Sequence, residues 1–286
     1  MRQVTAYRAN KILYNFLRSN NLKGKVILPA NICHEVVELL QYAGNELCFV
    51  DIDRDTLCLD WTQVWKYVKE VEVVLAVHTY GLEDSFNADF AILRTLNPKI
   101  VIIDDKCLCI PELDKPSSTG DLILYSTGLK KQVDLGVGGI GYVSDRWEYR
   151  NILVAENDVL TNEQWYFDVE AIKKQINRVL SYKSRLNAIY ANEFPLDIQL
   201  QKYSQWRFNL KVPNKQEVLQ AIFDAGLFAS SHYAPQSDNC PNVQWLYEHV
   251  INLFNDFYFT EQQANMICVV IKDKLVQVNN GDSIIQ

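Results

Sequence analysis

The sequence predicts an α/β fold, with a mostly parallel central sheet that helices cover on both faces. From residue 25 to residue 105, short and continuously apolar segments alternate with segments whose apolar residues recur at helical spacing. Strands buried on both faces form continuous apolar runs, whereas strands with one solvated face alternate between apolar and polar residues. Ligands of such sheets bind beyond the carboxyl ends of the strands. We therefore expect a functional site at that edge.

The elements of this first region follow in order. Residues 5–19 predict a helix capped by Thr5, because their apolar side chains recur at helical spacing. The next segments predict strand 25–31, helix 34–44, strand 46–53, helix 60–68, strand 71–81, helix 85–96 and strand 99–105. Polar side chains at the ends of the strands are expected to converge on one crevice; they are Asn31, His34, His78, Tyr80, Asp104, Asp105 and Ser126.

The pattern changes after residue 143. A long helical stretch is followed by a strand, a helix, a second strand and a final helix, over residues 162–192, 206–212, 216–226, 227–233 and 260–274. This succession is typical of an α+β unit. We therefore predict a large α/β domain over residues 1–150 and a small α+β domain over residues 151–286.

Composition excludes several classes of protein. The 286 residues carry a net charge of −7, whereas a general nucleic-acid binder has a basic face. No apolar run is long enough to span a bilayer, and the N-terminus lacks the apolar core of a signal peptide. The seven cysteines are odd in number, which favours reduced thiols in a cytoplasmic protein. Only Cys107 and Cys109 form a close pair, so no metal site is predicted.

The stretch Asp121 to Val143 carries the strongest functional signal. It reads DLILYSTGLKKQVDLGVGGIGYV, two apolar strands separated by a hydroxyl pair, two lysines and a glycine cluster. The acidic pair Asp104-Asp105 ends the preceding apolar run. These residue types are what a pyridoxal 5'-phosphate (PLP) site needs. A lysine binds the aldehyde, a carboxylate keeps the ring nitrogen protonated, and hydroxyls hold the phosphate.

Six segments together resemble the DegT/StrS-type sugar aminotransferases, which are fold-type-I PLP enzymes. They occur in the family's order across nearly the whole chain and read VILPAN…AGNELCFVDID, AVHTYG, VIIDD, DLILYSTGLKKQVDLGVGG, WRFNL and LFASSHYAP. The resemblance implies that Lys131 forms the Schiff base, or internal aldimine, with the cofactor. Lys131 lies five residues after Ser126 and five before Gly136, the family's spacing, whereas Lys130 fits neither distance.

The resemblance assigns further roles in the cofactor site. Asp105, the second acid of its pair, is the expected partner of the pyridine nitrogen. Ser126 is the expected phosphate ligand, and the loop Ala6-Tyr7-Arg8 takes the place of the family's phosphate loop at the start of a helix. An exposed arginine on a surface helix is the alternative interpretation of Arg8.

Several positions depart from the family pattern. Leu108 stands where the family usually has Gln or His near the ring. The aromatic residue after the first strand is replaced by Asn31-Ile32-Cys33-His34, where His34 is either a ring-stacking residue or a surface histidine. The segment through which a neighbouring subunit touches the phosphate is not recognisable around residues 155–170. The chain is also shorter than typical members, without their N-terminal arm.

The resemblance implies an aminotransferase that uses PLP, with a keto sugar, nucleotide-linked, as acceptor and glutamate as amino donor. It also implies a homodimer. Two alternatives remain: another PLP reaction such as dehydration of a deoxysugar, or a non-catalytic partner subunit that kept the fold. Members that dehydrate sugars replace the lysine by histidine, so Lys131 speaks against the first. A Rossmann-type nucleotide-binding module would need GxGxxG after the first strand, which is absent.

Overall fold

The structure, a computed structural model, describes residues 1–157, 159–203 and 206–281. In these residues seven strands form one sheet: β1 (Arg2–Ala6), β2 (Lys25–Pro29), β3 (Glu46–Val50), β4 (Val73–Val77), β5 (Val101–Asp105), β6 (Leu122–Ser126) and β7 (Gly139–Val143). Their order across the sheet is β1-β7-β6-β5-β4-β2-β3. The pairs among β2 to β6 are parallel, and β7 runs antiparallel to both of its neighbours. The predicted mostly parallel sheet is confirmed.

Helices cover both faces of this sheet. The helices of this region are α1 (Ala9–Ser19), α2 (His34–Ala43), α3 (Trp61–Tyr67) and α4 (Asn87–Leu96). The pleat of β4 sends Val73 and Leu75 into the core formed with α1 and α2. The same pleat sends Val74 and Ala76 into the core formed with α3 and α4. Burial on both faces explains why these strands are continuous apolar runs.

A second, two-stranded sheet forms in the C-terminal part of the chain, where β8 (Phe208–Lys211) pairs antiparallel with β9 (Val250–Leu253). Around it lie α5 (Val169–Glu193), α6 (Lys215–Asp224), α7 (Pro241–His249) and α8 (Glu261–Gly281). Residues of β8, β9, α5, α6 and α8 share one buried apolar cluster. A division of the chain near residue 150 stays a prediction.

Three sequence-based assignments were wrong. Thr5 does not cap the first helix; it lies in β1, opposite Ile140 of β7, and α1 begins at Ala9. The fifth helix begins at Val169 rather than at residue 162, because the side chain of Asp168 caps it by accepting the Ala171 N–H at 2.9 Å.

The third wrong assignment is the strand 227–233. This segment makes only one bridge in the described part of the chain, between Ser230 and Asn252. Its neighbour β9 is paired along its length with β8. Strand β9 and helix α7 were not assigned from the sequence. No helix among the described residues is long and apolar enough to cross a membrane.

Candidate active site

The candidate site lies at one edge of the large sheet, where strands of both orientations meet. Ala6 and Ser126 both lie opposite Gly139 in the strand register. Because β1 and β6 each run antiparallel to β7, their carboxyl ends leave the sheet at the same edge. This arrangement brings the loop after Ala6 and the lysine-bearing loop after Ser126 together, as the sequence predicted.

A cavity of about 380 Å³ opens at this edge. It is lined by five of the seven predicted site residues, Tyr7, Arg8, Asp105, Ser126 and Lys131. Small-molecule and cofactor sites have volumes of about 300–1,000 Å³. The cavity therefore has the size of a small-molecule site. Its walls carry the amine of Lys131, the carboxylate of Asp105 and the hydroxyl of Ser126.

The two adjacent lysines lie on different sides of their loop. Lys131 lines the 380 Å³ cavity, whereas Lys130 lines a separate cavity of about 240 Å³. Lys130 has a left-handed backbone conformation, with φ of 60°, and its N–H donates to Asp134 Oδ2 at 2.7 Å. The turn therefore sends neighbouring side chains to different cavities, and Lys131 is the lysine that shares the large cavity with Asp105.

The acidic pair at the end of β5 is also split. Asp105, 8% exposed, lies on the face of the strand that carries Val101 and Ile103, and it lines the cavity. Its Oδ1 accepts the Cys107 N–H at 2.9 Å, and its backbone carbonyl accepts the His78 N–H at 3.0 Å. These contacts fix the Asp105 carboxylate at the cavity wall.

Asp104 points to the other face and pairs with His78. Asp104 Oδ1 lies 2.9 Å from Nε2 of His78, and both side chains are nearly inaccessible to solvent. The other ring nitrogen, Nδ1, lies 2.7 Å from the carbonyl oxygen of Leu82, so it must donate. Asp104 is thus already paired, which supports Asp105 as the acid of the cavity.

Glycines bring the strand β7 close to the start of α1. A Cβ on Gly139 would lie 2.5 Å from the Ala9 nitrogen, so only glycine fits there. Gly138, at φ of +113°, donates its N–H to the Tyr7 carbonyl at 2.7 Å. Its own carbonyl accepts from Ser126 Oγ at 3.4 Å. The sequence GVGG therefore packs the loop after β1 against the end of β6.

The start of α1 faces the cavity. Tyr7, Arg8, Ala9 and Asn10 line it, and no side chain of the described residues caps the first amides of the helix. Free amides and the helix dipole favour an anion at this position. Ser126 Oγ lies in the same wall and accepts the Gly128 N–H at 3.2 Å. This wall therefore suits a phosphate group, and Asp105 and Lys131 line the same cavity.

Two predicted residues lie outside the cavity lining. Ala6 is the last residue of β1 and contributes through its register with Gly139. The side chain of His34 is 69% exposed; its Nε2 lies 3.3 Å from Glu38 and its Nδ1 lies 3.4 Å from Gln236. The structure thus places His34 with surface residues rather than with Lys131.

Cys33, Cys107 and Tyr233 are among the lining residues that sequence reasoning missed. Cys33 and Cys107 contact the cavity, and burial raises the pKa of both thiols, which therefore stay protonated. Tyr233 reaches the cavity from the C-terminal part of the chain. Nothing in the local sequence indicates this approach, because it depends on how the segment around residue 230 packs against the large sheet.

Comparison with known proteins identifies the family. A model of the DegT/DnrJ/EryC1/StrS aminotransferase family matches residues 8–205. The chain belongs to this family. Membership confirms the family predicted from the motifs, an aminotransferase class of enzyme and PLP as cofactor. Among curated proteins no sequence matches the chain.

Solved structures share the fold at low identity. DesI, solved in the presence of its TDP-sugar product, has a TM-score of 0.79 at 16% identity, over 99% of this chain and 83% of DesI. Spr1654 from Streptococcus pneumoniae, named as a sugar aminotransferase and solved in a PLP form, has a TM-score of 0.74 at 17% identity, over 96% and 87% of the chains. The E. coli GDP-4-keto-6-deoxy-D-mannose-3-dehydratase has a TM-score of 0.70 at 15% identity, over 95% and 87%. These similarities confirm the predicted α/β fold class.

Proposed function

We propose that this chain transfers an amino group from glutamate to a keto sugar that is linked to a nucleotide, with Lys131 as its catalytic lysine. The observation that carries the proposal is that Lys131, Asp105 and Ser126 line one cavity, while Lys130 and Asp104 are turned away from it. The cavity thus combines a lysine, a carboxylate and a hydroxyl, the three kinds of group that a PLP site needs. DesI, of the same fold, was solved in the presence of a TDP-sugar product, which supports a nucleotide-linked substrate.

Each residue has a separate task in this reaction. Bound PLP supplies an electron sink for the carbanion at the substrate α-carbon. Asp105, held by the Cys107 amide, keeps a proton on the ring nitrogen by its negative charge. The first amides of α1 and the Ser126 hydroxyl bind the phosphate group. The Lys131 amine would act as general base and then as general acid, taking the proton from the substrate α-carbon.

The assembly and location of the enzyme are part of the proposal. We propose a homodimer in the cytoplasm, as in the family resemblance, with the seven cysteines reduced. No disulfide is formed among the described residues, which is compatible with this location. The proposed large and small domains, residues 1–150 and 151–286, would each contribute to the cavity, since Tyr233 lines it together with Lys131.

An absorbance spectrum of the purified protein tests the role of Lys131. After addition of PLP and removal of the unbound cofactor by gel filtration, the protein should keep a near-visible band, and Lys131→Ala should abolish it. Lys130→Ala is the matched control and should keep the band, because Lys130 lines the other cavity. A protein that stays colourless with added PLP would refute the enzyme and favour a non-catalytic relative.

The substrate needs a second experiment. Glutamate alone should convert the bound cofactor to its amine form, which shifts the absorbance band to shorter wavelength. Keto sugars linked to a nucleotide should then restore the original band faster than the same free sugars. Mass spectrometry of the sugar product distinguishes the two reactions. If a keto-deoxysugar restored the band but its product contained no additional nitrogen, the reaction would instead be a dehydration.

A further inference from the structure

The side chain of Asp134 makes two hydrogen bonds within the segment that carries Lys131. We call residues 128–136 the lysine segment. Asp134 Oδ2 accepts the Lys130 N–H at 2.7 Å, and Oδ1 accepts the Gly136 N–H at 2.8 Å. Both bonds lie within the segment and close a turn around Lys131. The conformation of the turn therefore depends on the position of the Asp134 carboxylate.

A residue far along the chain fixes that carboxylate. Tyr258 belongs to the loop between β9 and α8, and its hydroxyl donates to Asp134 Oδ2 at 2.8 Å. The hydrogen bond to Asp134 raises the pKa of Tyr258 to about 12, so the phenol remains a donor at physiological pH. The Tyr258 N–H in turn donates to Asp256 Oδ1 at 3.1 Å, and Asp256 forms a buried ion pair with Arg207. The donor is therefore anchored in the C-terminal part of the chain.

Other C-terminal side chains reach the same turn. Trp206 Nε1 donates to the Lys130 carbonyl at 3.0 Å, and Gln175 Nε2 donates to the Asp134 carbonyl at 3.4 Å. Trp206 is itself stacked on the buried Tyr80, with ring centroids 6.0 Å apart. The backbone on each side of Lys131 is thus tied to residues more than forty positions later in the chain.

We propose that Asp134 and Tyr258 are positioning residues that hold the lysine segment so that Lys131 reaches the cofactor. The inference rests on the proposed role of Lys131 as the catalytic lysine. Neither residue lines the 380 Å³ cavity, so neither touches the cofactor there. Their effect passes through the backbone of Lys130 and Gly136 to the lysine between them.

Tyr258→Phe is the decisive variant, because it removes one hydroxyl from a side chain that is 52% exposed. Tyr42→Phe is the matched control: Tyr42 is 51% exposed, and among the described residues its hydroxyl has no hydrogen-bond partner. Asp134→Asn is the second variant, since an amide presents one acceptor oxygen to two backbone N–H groups.

Two measurements test the proposal. In the apoprotein, amide hydrogen exchange of residues 128–136 should be about fivefold faster in Tyr258→Phe than in Tyr42→Phe, and faster still in Asp134→Asn. In the PLP-bound protein, cofactor release should accelerate by a similar factor while the melting temperature stays within about 2 °C of wild type. The kcat should fall with KM for glutamate unchanged, which a merely structural role would not produce.

The outcomes separate this inference from the proposed function. Equal amide exchange of the lysine segment in Tyr258→Phe and Tyr42→Phe would overturn the positioning role. If the wild type binds PLP, an unchanged rate of cofactor release in Tyr258→Phe would also overturn it. If the wild type bound no PLP, the proposed function would fall with the role of Lys131. The exchange comparison in the apoprotein would still decide whether the contact holds the segment.

Discussion

Gly139 is the position at which one methyl group should damage both stability and cofactor binding. Its Cβ would lie 2.5 Å from the nitrogen and 2.6 Å from the Cα of Ala9, and 2.7 Å from the carbonyl carbon of Arg8. All three are backbone atoms, so no side-chain rotation relieves the overlap. Ordinary contact begins at 3.4 Å, so β7 and the start of α1 must separate by roughly 0.9 Å.

The expected magnitude follows from this geometry. Overpacking of a filled core costs about 1–3 kcal/mol, and contact with rigid backbone belongs at the upper end. We therefore expect Gly139→Ala to lower the free energy of unfolding by about 2–3 kcal/mol. The shift also displaces the amides proposed to bind phosphate. We expect the binding free energy of PLP to weaken by about 1.4 kcal/mol, which is a tenfold weaker PLP affinity.

Urea denaturation and PLP titration measure the two effects separately. Gly44→Ala is the control, since Gly44 ends α2 at φ of +95° and has no atom within 4 Å of the position of a Cβ. It should cost about 1–2 kcal/mol in backbone strain and leave PLP affinity unchanged. A Gly139→Ala protein with the PLP affinity of the wild type would refute the assignment of this wall to the phosphate.

Three further perturbations have defined outcomes. Asp105→Asn should slow the glutamate half-reaction by about 100-fold or more, measured by stopped-flow absorbance, because a neutral amide does not keep the ring nitrogen protonated. Asp121→Ala should cost about 3 kcal/mol in urea denaturation, because it removes a buried acceptor of Arg146 and of the Ile102 N–H. Burial lowers the pKa of Lys183 from 10.5 to about 7, so the unfolded chain binds more protons between these values and stability should rise with pH there. Lys183→Met should flatten that rise, and an unchanged slope would contradict the assignment.

Sequence patterns predicted the sheet well because its strands are buried on both faces. Runs such as residues 73–77 and 100–103 are continuous and apolar, which leaves few alternative interpretations. The edge strand β1 was not predicted, because its stability depends on pairing with β7, more than 130 residues later. The segment 227–233 contains the aromatic residues Phe228 and Tyr233, but it makes a single bridge to β9, between Ser230 and Asn252, rather than a continuous ladder.

The candidate site, too, contains residues that the sequence predicted and residues that only the tertiary structure reveals. The spacing of the resembled family selected Lys131 over Lys130, and the left-handed turn at Lys130 shows why the adjacent lysines line different cavities. His34 was proposed from its place after the first strand, but the orientation of a side chain at the start of a helix is not encoded in that spacing. Tyr233 and the Tyr258 contact depend on tertiary packing across the chain, which no local pattern reports.

The split of Asp104 and Asp105 between two faces has a consequence for evolution and design. The two identical residues have different roles, because the Asp104 carboxylate pairs with His78 and the Asp105 carboxylate lines the cavity. Neither acid can substitute for its neighbour, because the alternation of a strand is fixed at every residue. An insertion or deletion of one residue in β5 would send the side chains beyond it to the opposite face, so at most one of the two environments would keep its carboxylate. Selection should therefore tolerate substitutions around this pair far more readily than any change of length.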